Sequence, residues 1–338
     1  MGLNNLIAVM LPEIELELQR VVARLDTTFT KHFHEMITYH MGWTGEGAGP
    51  EATGKRIRPL LVLLTAAACE VDWRLALHPA ASLELIHNFS LVHDDIQDQS
   101  ELRRGRQTIW KKWGIAHAIN VGDSLFILAH FALLDIKPQI SLEMMMKTEQ
   151  IINDACLALT NGQFMDMAFE ERTKLSIERD YWPMVSGKTA ALLSACTNIG
   201  ALLGGVDDAT REVYRSYGHF LGTAFQIRDD YLGIWGNTAM TGKSIESDLV
   251  MGKKTLPILY GLNKKGAFAQ RLAKGLVQPD EVPYLVEQLT AEGAKMYVQE
   301  TLDRMTDLAF NSLRLADPKG EAGEVLFELT SNLVGRQN

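Results

Sequence analysis

The sequence is poor in cysteine: only Cys69, Cys156 and Cys196 occur among its 338 residues. Because this number is odd and the three lie far apart, neither a disulfide framework nor a zinc site is expected. No targeting signal is expected either, since residues 1–20 have no basic stretch ahead of an apolar one, and Leu6 stands where a myristoylation signal requires Ser or Thr. We therefore expect a protein of the reducing cytoplasm.

Long hydrophobic runs are also missing. The most apolar stretches, 60–69 and 190–206, are either too short for a spanning helix, which needs about 18 residues, or interrupted by polar side chains. No membrane span is therefore expected. Basic residues are in the minority, 33 Lys and Arg against 42 Asp and Glu, and the resulting net charge of −9 opposes binding to nucleic acid. Any bound phosphate would have to be held locally, by clustered cations or by a metal ion.

Strand-like runs bounded by hairpin turns are nearly absent, whereas apolar residues recur at three- and four-residue spacing over long segments. The fold is therefore predicted to be all-α. The predicted helices cover residues 11–38, 59–70, 80–97, 116–134, 142–170, 183–203, 209–235 and 255–262. Since the composition does not shift along the chain and no internal repeat occurs, residues 1–338 are predicted to form a single domain.

The strongest chemical signal is the segment 94–98 (DDIQD), in the predicted helix that also carries His87. Asp94 and Asp98 are one turn apart, so their carboxylates share a helix face, with His87 about two turns earlier on nearly the same face. A solvated acidic helix end is the alternative. The preceding segment 82–86 is apolar enough to be buried, however, which favours carboxylates that face a cavity. Such carboxylates, completed by water and substrate phosphate, are the ligands that Mg²⁺ prefers.

A second acidic pair, Asp229 and Asp230, follows Gln226 in another predicted helix. Acidic clusters on helices can face each other across a bundle, where ligand sites of helical folds are built. Cations recur beside both motifs although the net charge is −9. Carboxylates for a metal, together with cations for phosphate, indicate a diphosphate substrate. These cations are Lys55, Arg56, Arg58, Arg103, Arg104, Lys188, Lys243, Lys253 and Lys254.

The order of these motifs resembles the trans-isoprenyl diphosphate synthases, also called polyprenyl synthetases. Residues 54–59 (GKRIRP) are similar to the family's Gly-Lys-Arg-x-Arg-Pro element, 93–98 to its first aspartate-rich motif, and 103–105 to the paired arginines that follow. Residues 226–233 resemble the family's second aspartate-rich motif. Its closing loop is matched by Lys243, Asp248 and residues 252–257 (GKKTLP). The resemblance covers at least residues 54–259 and implies the isoprenoid synthase fold, one large helical bundle around a central cavity.

The resemblance implies a prenyltransferase that joins isopentenyl diphosphate to an allylic diphosphate, and a homodimer. It implies that about three Mg²⁺ ions are held by Asp94 and Asp98 on one side and Asp229 on the other. The residues implied for isopentenyl diphosphate are Lys55, Arg58, His87 and Arg104. Those implied for the allylic diphosphate are Arg103, Lys188, Thr189, Gln226, Lys243 and Lys253. The expected catalytic set is Asp94, Asp95, Asp98, Asp229, Asp230 and Lys188.

Product length is expected to depend on the floor of an apolar pocket below Asp94. Phe89 lies five residues before that aspartate, and Ser90 lies four before it, about one turn deeper. An aromatic residue followed by a small one, with no insertion in the first motif, resembles archaeal-type geranylgeranyl diphosphate synthases and favours a C20 product. If Phe89 is instead an ordinary core aromatic, a C15 or a C25 product, from a farnesyl or farnesylgeranyl diphosphate synthase, stays open.

Two other functions stay open from the sequence. A class I terpene cyclase shares the fold and the metal-assisted ionisation, but it has no use for a second diphosphate site, so Lys55, Arg58 and Arg104 argue against it. A non-catalytic subunit of a heteromeric synthase would be expected to have lost aspartates of the first motif, which this chain keeps. One departure from the family pattern is Gly233, which stands where a third aspartate is common and predicts a weaker third metal site.

Overall fold

A computed structural model describes residues 3–135, 140–171, 175–236 and 247–335. Apart from one short hairpin, the described chain has helices as its only regular elements, which confirms the predicted all-α fold. The first helices are α1 (Leu3–Val22), α2 (Lys31–His40), α3 (Pro50–Thr53), α4 (Ile57–Ala68), α5 (Leu77–Gln97), α6 (Ile109–Trp113) and α7 (Ile115–Leu134). They are followed by α8 (Leu142–Glu171), α9 (Trp182–Val185), α10 (Ala191–Leu203), α11 (Asp208–Trp235) and α12 (Ser247–Val250). The last are α13 (Leu256–Lys264), α14 (Ala267–Leu272), α15 (Val282–Ala291), α16 (Ala294–Ala316) and α17 (Gly320–Val334).

The single helix predicted over residues 11–38 is wrong. The chain forms α1, a 3₁₀ turn at Ala23–Leu25 and a separate α2. Between them the hydroxyls of Thr27 and Thr30 lie 2.6 Å apart, and Thr30 also donates to the Leu25 carbonyl at 2.5 Å. Hydroxyl groups that bond nearby backbone in this way compete with the helix.

The predicted helix 183–203 is a more complex element. Segments of π-helix at Ile177–Tyr181 and Ser186–Ala190 flank α9 ahead of α10. Such wide turns are rare and are frequent at functional sites.

The first of two compact units comprises Met1–Asn153, Ala195–Glu212 and Asp317–Glu328. Its core packs α5 against α4 and α7, and α4 buries an apolar run from Leu60 to Leu64. Gly122 of α7 faces His93 of α5, where an added Cβ would lie 2.2 Å from the imidazole Nε2. A larger side chain at this position would therefore have to displace the imidazole of His93.

The second unit comprises Asp154–Ser194, Val213–Ala316 and Leu329–Asn338. One cluster of its buried apolar side chains joins α11, α12, α13, α14, α15 and α16. Its members are Ile234, Leu249, Ile258, Phe268, Val277, Val282, Leu285, Leu289 and Ala294. The single domain over residues 1–338 stays a prediction.

Within the described residues, α7 is the one helix long and apolar enough to cross a membrane by length and composition, and 44% of its apolar window is buried inside the protein. The sequence analysis had singled out two other stretches and missed this one. Length and composition are weak grounds for a span, because core helices pass the same test. The buried side of α7 packs against α5.

Candidate active site

The first acidic motif lies at the carboxyl end of α5. Asp94 and Asp98 are half-buried, whereas Asp95 between them is 2% exposed. The Arg103 Nε–H donates to both Asp95 oxygens, at 2.8 and 3.0 Å. Burial raises the pKa of Asp95 to about 6, against the opposing effect of Arg103. Asp95 therefore anchors Arg103, while its two neighbours on the motif remain partly accessible.

The paired arginines lie at the tip of a short hairpin in which Leu102–Arg103 pairs antiparallel with Arg106–Gln107: Arg103 ends the first strand and Arg104 begins the turn. Arg104 has φ +52°, a left-handed conformation that is uncommon for a residue other than glycine. Its guanidinium donates to the carbonyls of Ala52 and Thr53, each at 2.8 Å. An added Cβ on Gly54 would lie 2.6 Å from this guanidinium, so that glycine leaves the space that Arg104 fills.

The three cations of the segment 55–58 have different environments. Arg56 is 3% exposed and donates to Glu84 at 2.8 Å and to Glu15 at 2.6 Å, so it is a structural residue. Lys55 is exposed. Arg58 has a buried Nε that bonds no group in the described part of the chain. An unpaired buried donor is costly, and it suits a ligand that supplies the missing acceptor.

His87, which lies on nearly the same face of α5 as Asp94, is surrounded by positive charge. Its pKa lies well below the ordinary value, because burial and the charges of Arg58, Arg104, Arg103 and Arg56 oppose protonation. A neutral imidazole among arginines is a hydrogen-bond donor in a strongly positive field. The predicted isopentenyl diphosphate residues Arg58, His87 and Arg104 are therefore brought together.

In the second unit, Lys188 and Thr189 lie on the Ser186–Ala190 π segment. The Lys188 Nζ is 2.5 Å from an Asp166 carboxylate oxygen on α8. Gly162 makes this approach possible, since an added Cβ would lie 2.1 Å from the Lys188 backbone nitrogen. Asp166 was missed by the sequence analysis. The signal that could have found it is Gly162 inside a predicted helix, because an isolated helical glycine often marks a close packing contact.

Thr189 and Gln226 also meet, with the Thr189 hydroxyl donating to Gln226 Oε1 at 2.7 Å. Gln226 donates in turn to Asp230, which is 4% exposed, whereas Asp229 is exposed. Burial raises the pKa of Asp230 to about 7, although three donors oppose the shift. The second motif thus has one solvent-facing and one buried carboxylate.

Of the two other cations predicted to bind the allylic diphosphate, the structure describes one. Lys253 is half-buried just ahead of α13, whereas Lys243 lies outside the described residues. The described side chains include no group of three or more His, Cys, Asp or Glu that gathers closely enough to hold a metal ion. Magnesium fits the donors that are present, because it is commonly held by one or two carboxylates with water and substrate phosphate. Asp94, Asp98 and Asp229, each partly or fully exposed, supply such carboxylates.

The predicted chain-length residues differ in their surroundings. Phe89 is 9% exposed and its ring meets the Phe126 ring of α7 edge-on, with centroids 5.3 Å apart. Phe126 in turn contacts the His130 ring at 4.8 Å. Ser90 is half-buried, and its hydroxyl donates to the His87 carbonyl at 2.7 Å. Phe89 is therefore part of an aromatic contact between α5 and α7, to which Phe126 belongs as a residue that sequence reasoning missed.

Comparison with known proteins points to one family. The family model described as Polyprenyl synthetase matches residues 49–291. The (2E,6E)-farnesyl diphosphate synthase of Mycobacterium bovis is 38% identical over 332 residues, 95% of this chain and 89% of the relative. The geranylfarnesyl diphosphate synthase of Aeropyrum pernix is 40% identical over 295 residues, 85% of this chain and 91% of the relative. The solved geranylgeranyl pyrophosphate synthetase of Pyrococcus horikoshii has a TM-score of 0.88 and 32% identity, with 99% of each chain covered.

Proposed function

Since the chain belongs to the polyprenyl synthetase family and is a short-chain trans-prenyl diphosphate synthase, we propose that it condenses isopentenyl diphosphate with an allylic diphosphate. The observation that carries this assignment is the arginine field around neutral His87, on the same helix as the half-buried Asp94 and Asp98. Fixed positive charge beside accessible carboxylates is the environment that a metal-complexed diphosphate requires.

Isopentenyl diphosphate is assigned to Lys55, Arg58, His87 and Arg104. Arg58 and Arg104 are preorganised for it. The Arg58 Nε is buried without an acceptor in the described residues, and Arg104 is already held by two backbone carbonyls. Charge-assisted bonds from arginine to phosphate are stronger than neutral ones, and a fixed guanidinium loses little side-chain entropy when it makes them.

The allylic diphosphate is assigned to Arg103, Lys188, Thr189, Gln226, Lys243 and Lys253. Breaking its carbon–oxygen bond leaves an allylic cation and a diphosphate anion. Arg103, Lys188 and Lys253 stabilise the charge that develops on that anion. The isopentenyl double bond then attacks the cation, and a proton lost from the new carbon skeleton goes to the departing diphosphate, so the residues need not include a separate base.

Asp94, Asp98 and Asp229 would hold Mg²⁺, with about three ions in the active complex. When bound, the ions would supply Lewis-acid stabilisation of the leaving diphosphate. The role of Asp95 is to hold Arg103 in place, which its buried bidentate contact supports. Gly233 still predicts a weaker third metal site, and the cytoplasmic location also stays a prediction.

We further propose that geranylgeranyl diphosphate, C20, is the main product. Phe89 supports this, because its ring is braced by Phe126 and so can act as a rigid floor. The similar proteins bear names for C15, C20 and C25 products. A farnesyl diphosphate synthase is the second candidate, favoured by the mycobacterial relative, which is 38% identical over 95% of this chain.

The two diphosphate assignments are tested by the kinetics of Arg58→Ala. Losing a charge-assisted hydrogen bond costs about 1.5–3 kcal/mol, so the KM for isopentenyl diphosphate should rise about ten- to a hundredfold. The KM for the allylic substrate should move much less. Lys188→Gln should raise the KM for the allylic substrate more than the KM for isopentenyl diphosphate. Arg74→Ala, at an exposed residue, should change neither constant.

Equal effects of Arg58→Ala on both substrates would contradict the assignment. An enzyme that turns over allylic diphosphate with no requirement for isopentenyl diphosphate would show a cyclase instead.

A further inference from the structure

Asp230, the second carboxylate of the second acidic motif, accepts hydrogen bonds from three protein donors. The Tyr181 hydroxyl donates to Oδ2 at 2.6 Å, and the Leu256 backbone N–H donates to the same oxygen at 3.0 Å. The Gln226 Nε2 donates to Oδ1 at 2.9 Å. Both oxygens are thus engaged inside the protein, whereas Asp229, the preceding residue, is exposed.

The Leu256 contact fastens the start of α13. Leu256 is the first residue of that helix, and Thr255 ahead of it makes no side-chain cap. The first N–H groups of a helix have no partner within it, and a carboxylate at this end is also favoured by the helix dipole. Asp230 therefore supplies the missing acceptor from α11. Lys253, which is assigned to the allylic diphosphate, lies three residues before this fixed point.

The Gln226 contact fixes the orientation of an amide. Because Nε2 donates to Asp230, the amide oxygen faces the other way and accepts from the Thr189 hydroxyl at 2.7 Å. An amide has a donor end and an acceptor end, and its neighbours decide which end points where. Without the Asp230 acceptor, nothing in this set of contacts would hold Gln226 in this orientation.

The Tyr181 contact holds the carboxylate itself. Tyr181 is fully buried at the end of the Ile177–Tyr181 π segment, and its hydroxyl makes the shortest of the three bonds. A carboxylate of low exposure that must stay in one rotamer needs such a donor.

We propose that Tyr181 and Asp230 are positioning residues for the allylic diphosphate: Tyr181 holds the Asp230 carboxylate, which orients Gln226 and fastens the start of α13 behind Lys253. This rests on the proposed function, in which Gln226 and Lys253 bind that substrate. Asp230 is thus a positioning residue, in place of the catalytic role that the sequence predicts. Asp229 is then the residue of this motif that would bind the metal ion associated with the substrate.

The test is the variant Tyr181→Phe, which removes the hydroxyl group and keeps the aromatic ring. Tyr217→Phe is the matched control, because Tyr217 is also fully buried in the second unit and its hydroxyl lies 2.7 Å from the Thr330 hydroxyl. Both variants lose one buried hydrogen bond, so similar falls in Tm are expected. Tyr181→Phe should raise the KM for the allylic substrate about tenfold, equivalent to about 1.4 kcal/mol, and leave the KM for isopentenyl diphosphate within about twofold. Tyr217→Phe should change neither constant.

A second readout needs no substrate. Hydrogen exchange of the Leu256 amide should be faster in Tyr181→Phe and in Asp230→Asn than in the wild type, and unchanged in Tyr217→Phe and Asp229→Asn. Equal KM values for Tyr181→Phe and Tyr217→Phe, or an unchanged Leu256 amide in Asp230→Asn, would overturn the proposal. Asp229→Asn distinguishes a failure of the proposed function from a failure of this inference. Full turnover in that variant would contradict the proposed function, while the exchange result would still report on the anchoring of α13.

Discussion

His40 has a charge environment that predicts how stability changes with pH. Its Nε2 is buried and bonds no described residue. Burial, together with the charges of Arg103, Arg104 and Arg56, lowers the pKa of His40 from 6.5 to about 3. The unfolded chain therefore binds one proton more than the folded chain between these two pH values. Neutral His40 gives its full contribution to stability above pH 6.5, and that contribution is lost as the pH falls, by up to about 1.4 kcal/mol per pH unit.

The variant His40→Gln removes this proton linkage. Its free energy of unfolding should decline less steeply between about pH 6.5 and 5 than that of the wild type, which urea denaturation at a series of pH values would measure. His34→Gln, at a half-buried ring on the same helix, reports what a histidine substitution does by itself. Parallel curves for His40→Gln and the wild type would show that His40 is protonated in the folded protein as well.

Individual residue roles were predictable from the sequence where they depend on helical spacing. The shared face of Asp94 and Asp98 follows from one turn of α5. The contacts of Asp95 with Arg103 and of Lys188 with Asp166 could not be predicted. Arg103 lies in a hairpin beyond the end of α5, and Lys188 lies on a π segment 22 residues from Asp166, so helical spacing does not report either contact. Tyr181 was missed for the same reason.

Among the secondary structure elements, α5 and α7 together carry the prediction for product length. The Phe89 ring packs on Phe126, and steric misfit in a close-packed interior costs about 1–3 kcal/mol. At about 1.4 kcal/mol per factor of ten, this is enough to decide between release and another condensation. Phe89→Ala should therefore lengthen the product, and Ser90→Phe should shorten it towards C15.

The control for these variants is Phe310→Ala, a half-buried aromatic on α16, which carries none of the predicted site residues. Product chains are to be identified by mass spectrometry at matched substrate ratios. If Phe89→Ala and Ser90→Phe both yield the wild-type length, other helices form the floor and Phe89 is an ordinary core aromatic.

Helix positions were predicted well because apolar periodicity persists over long segments such as α5, α8 and α11. The failures have local causes. The break between α1 and α2 arises from threonine hydroxyls that bond the backbone, a competition that periodicity does not report. The π segments around α9 coincide with close packing at Gly162 and Gly187, which depends on a neighbouring helix.

For the whole molecule, the homodimer stays a prediction, and α7 offers a surface for it. Ile115, Ile119, Ile127, Phe131 and Leu134 lie along one side of this helix and are 40–68% exposed. Exposed apolar stripes of this kind mark contact surfaces. The side chain of Asp123, 64% exposed, interrupts the stripe, which suits a protein partner better than lipid. A second copy of the chain is therefore the expected partner.

Sedimentation equilibrium should give a dimer for the wild type and a monomer for the double variant Ile127→Lys, Phe131→Glu. Phe29→Glu, at a side chain that is 98% exposed outside α7, is the control and should remain dimeric. A monomeric wild type, or a wild type that binds lipid vesicles through α7, would contradict the dimer.

The central claim is that this chain elongates an allylic diphosphate with isopentenyl diphosphate. The direct measurement is to incubate the purified protein with Mg²⁺, isopentenyl diphosphate and a series of allylic primers, then identify the prenols after dephosphorylation. The expected products are open-chain all-trans prenols longer than the primer by whole isoprene units. Asp94→Ala and Asp229→Ala should each lower turnover about a hundredfold while the helical signal is unchanged. Cyclised hydrocarbons, no consumption of isopentenyl diphosphate, or near wild-type turnover in either variant would contradict the account.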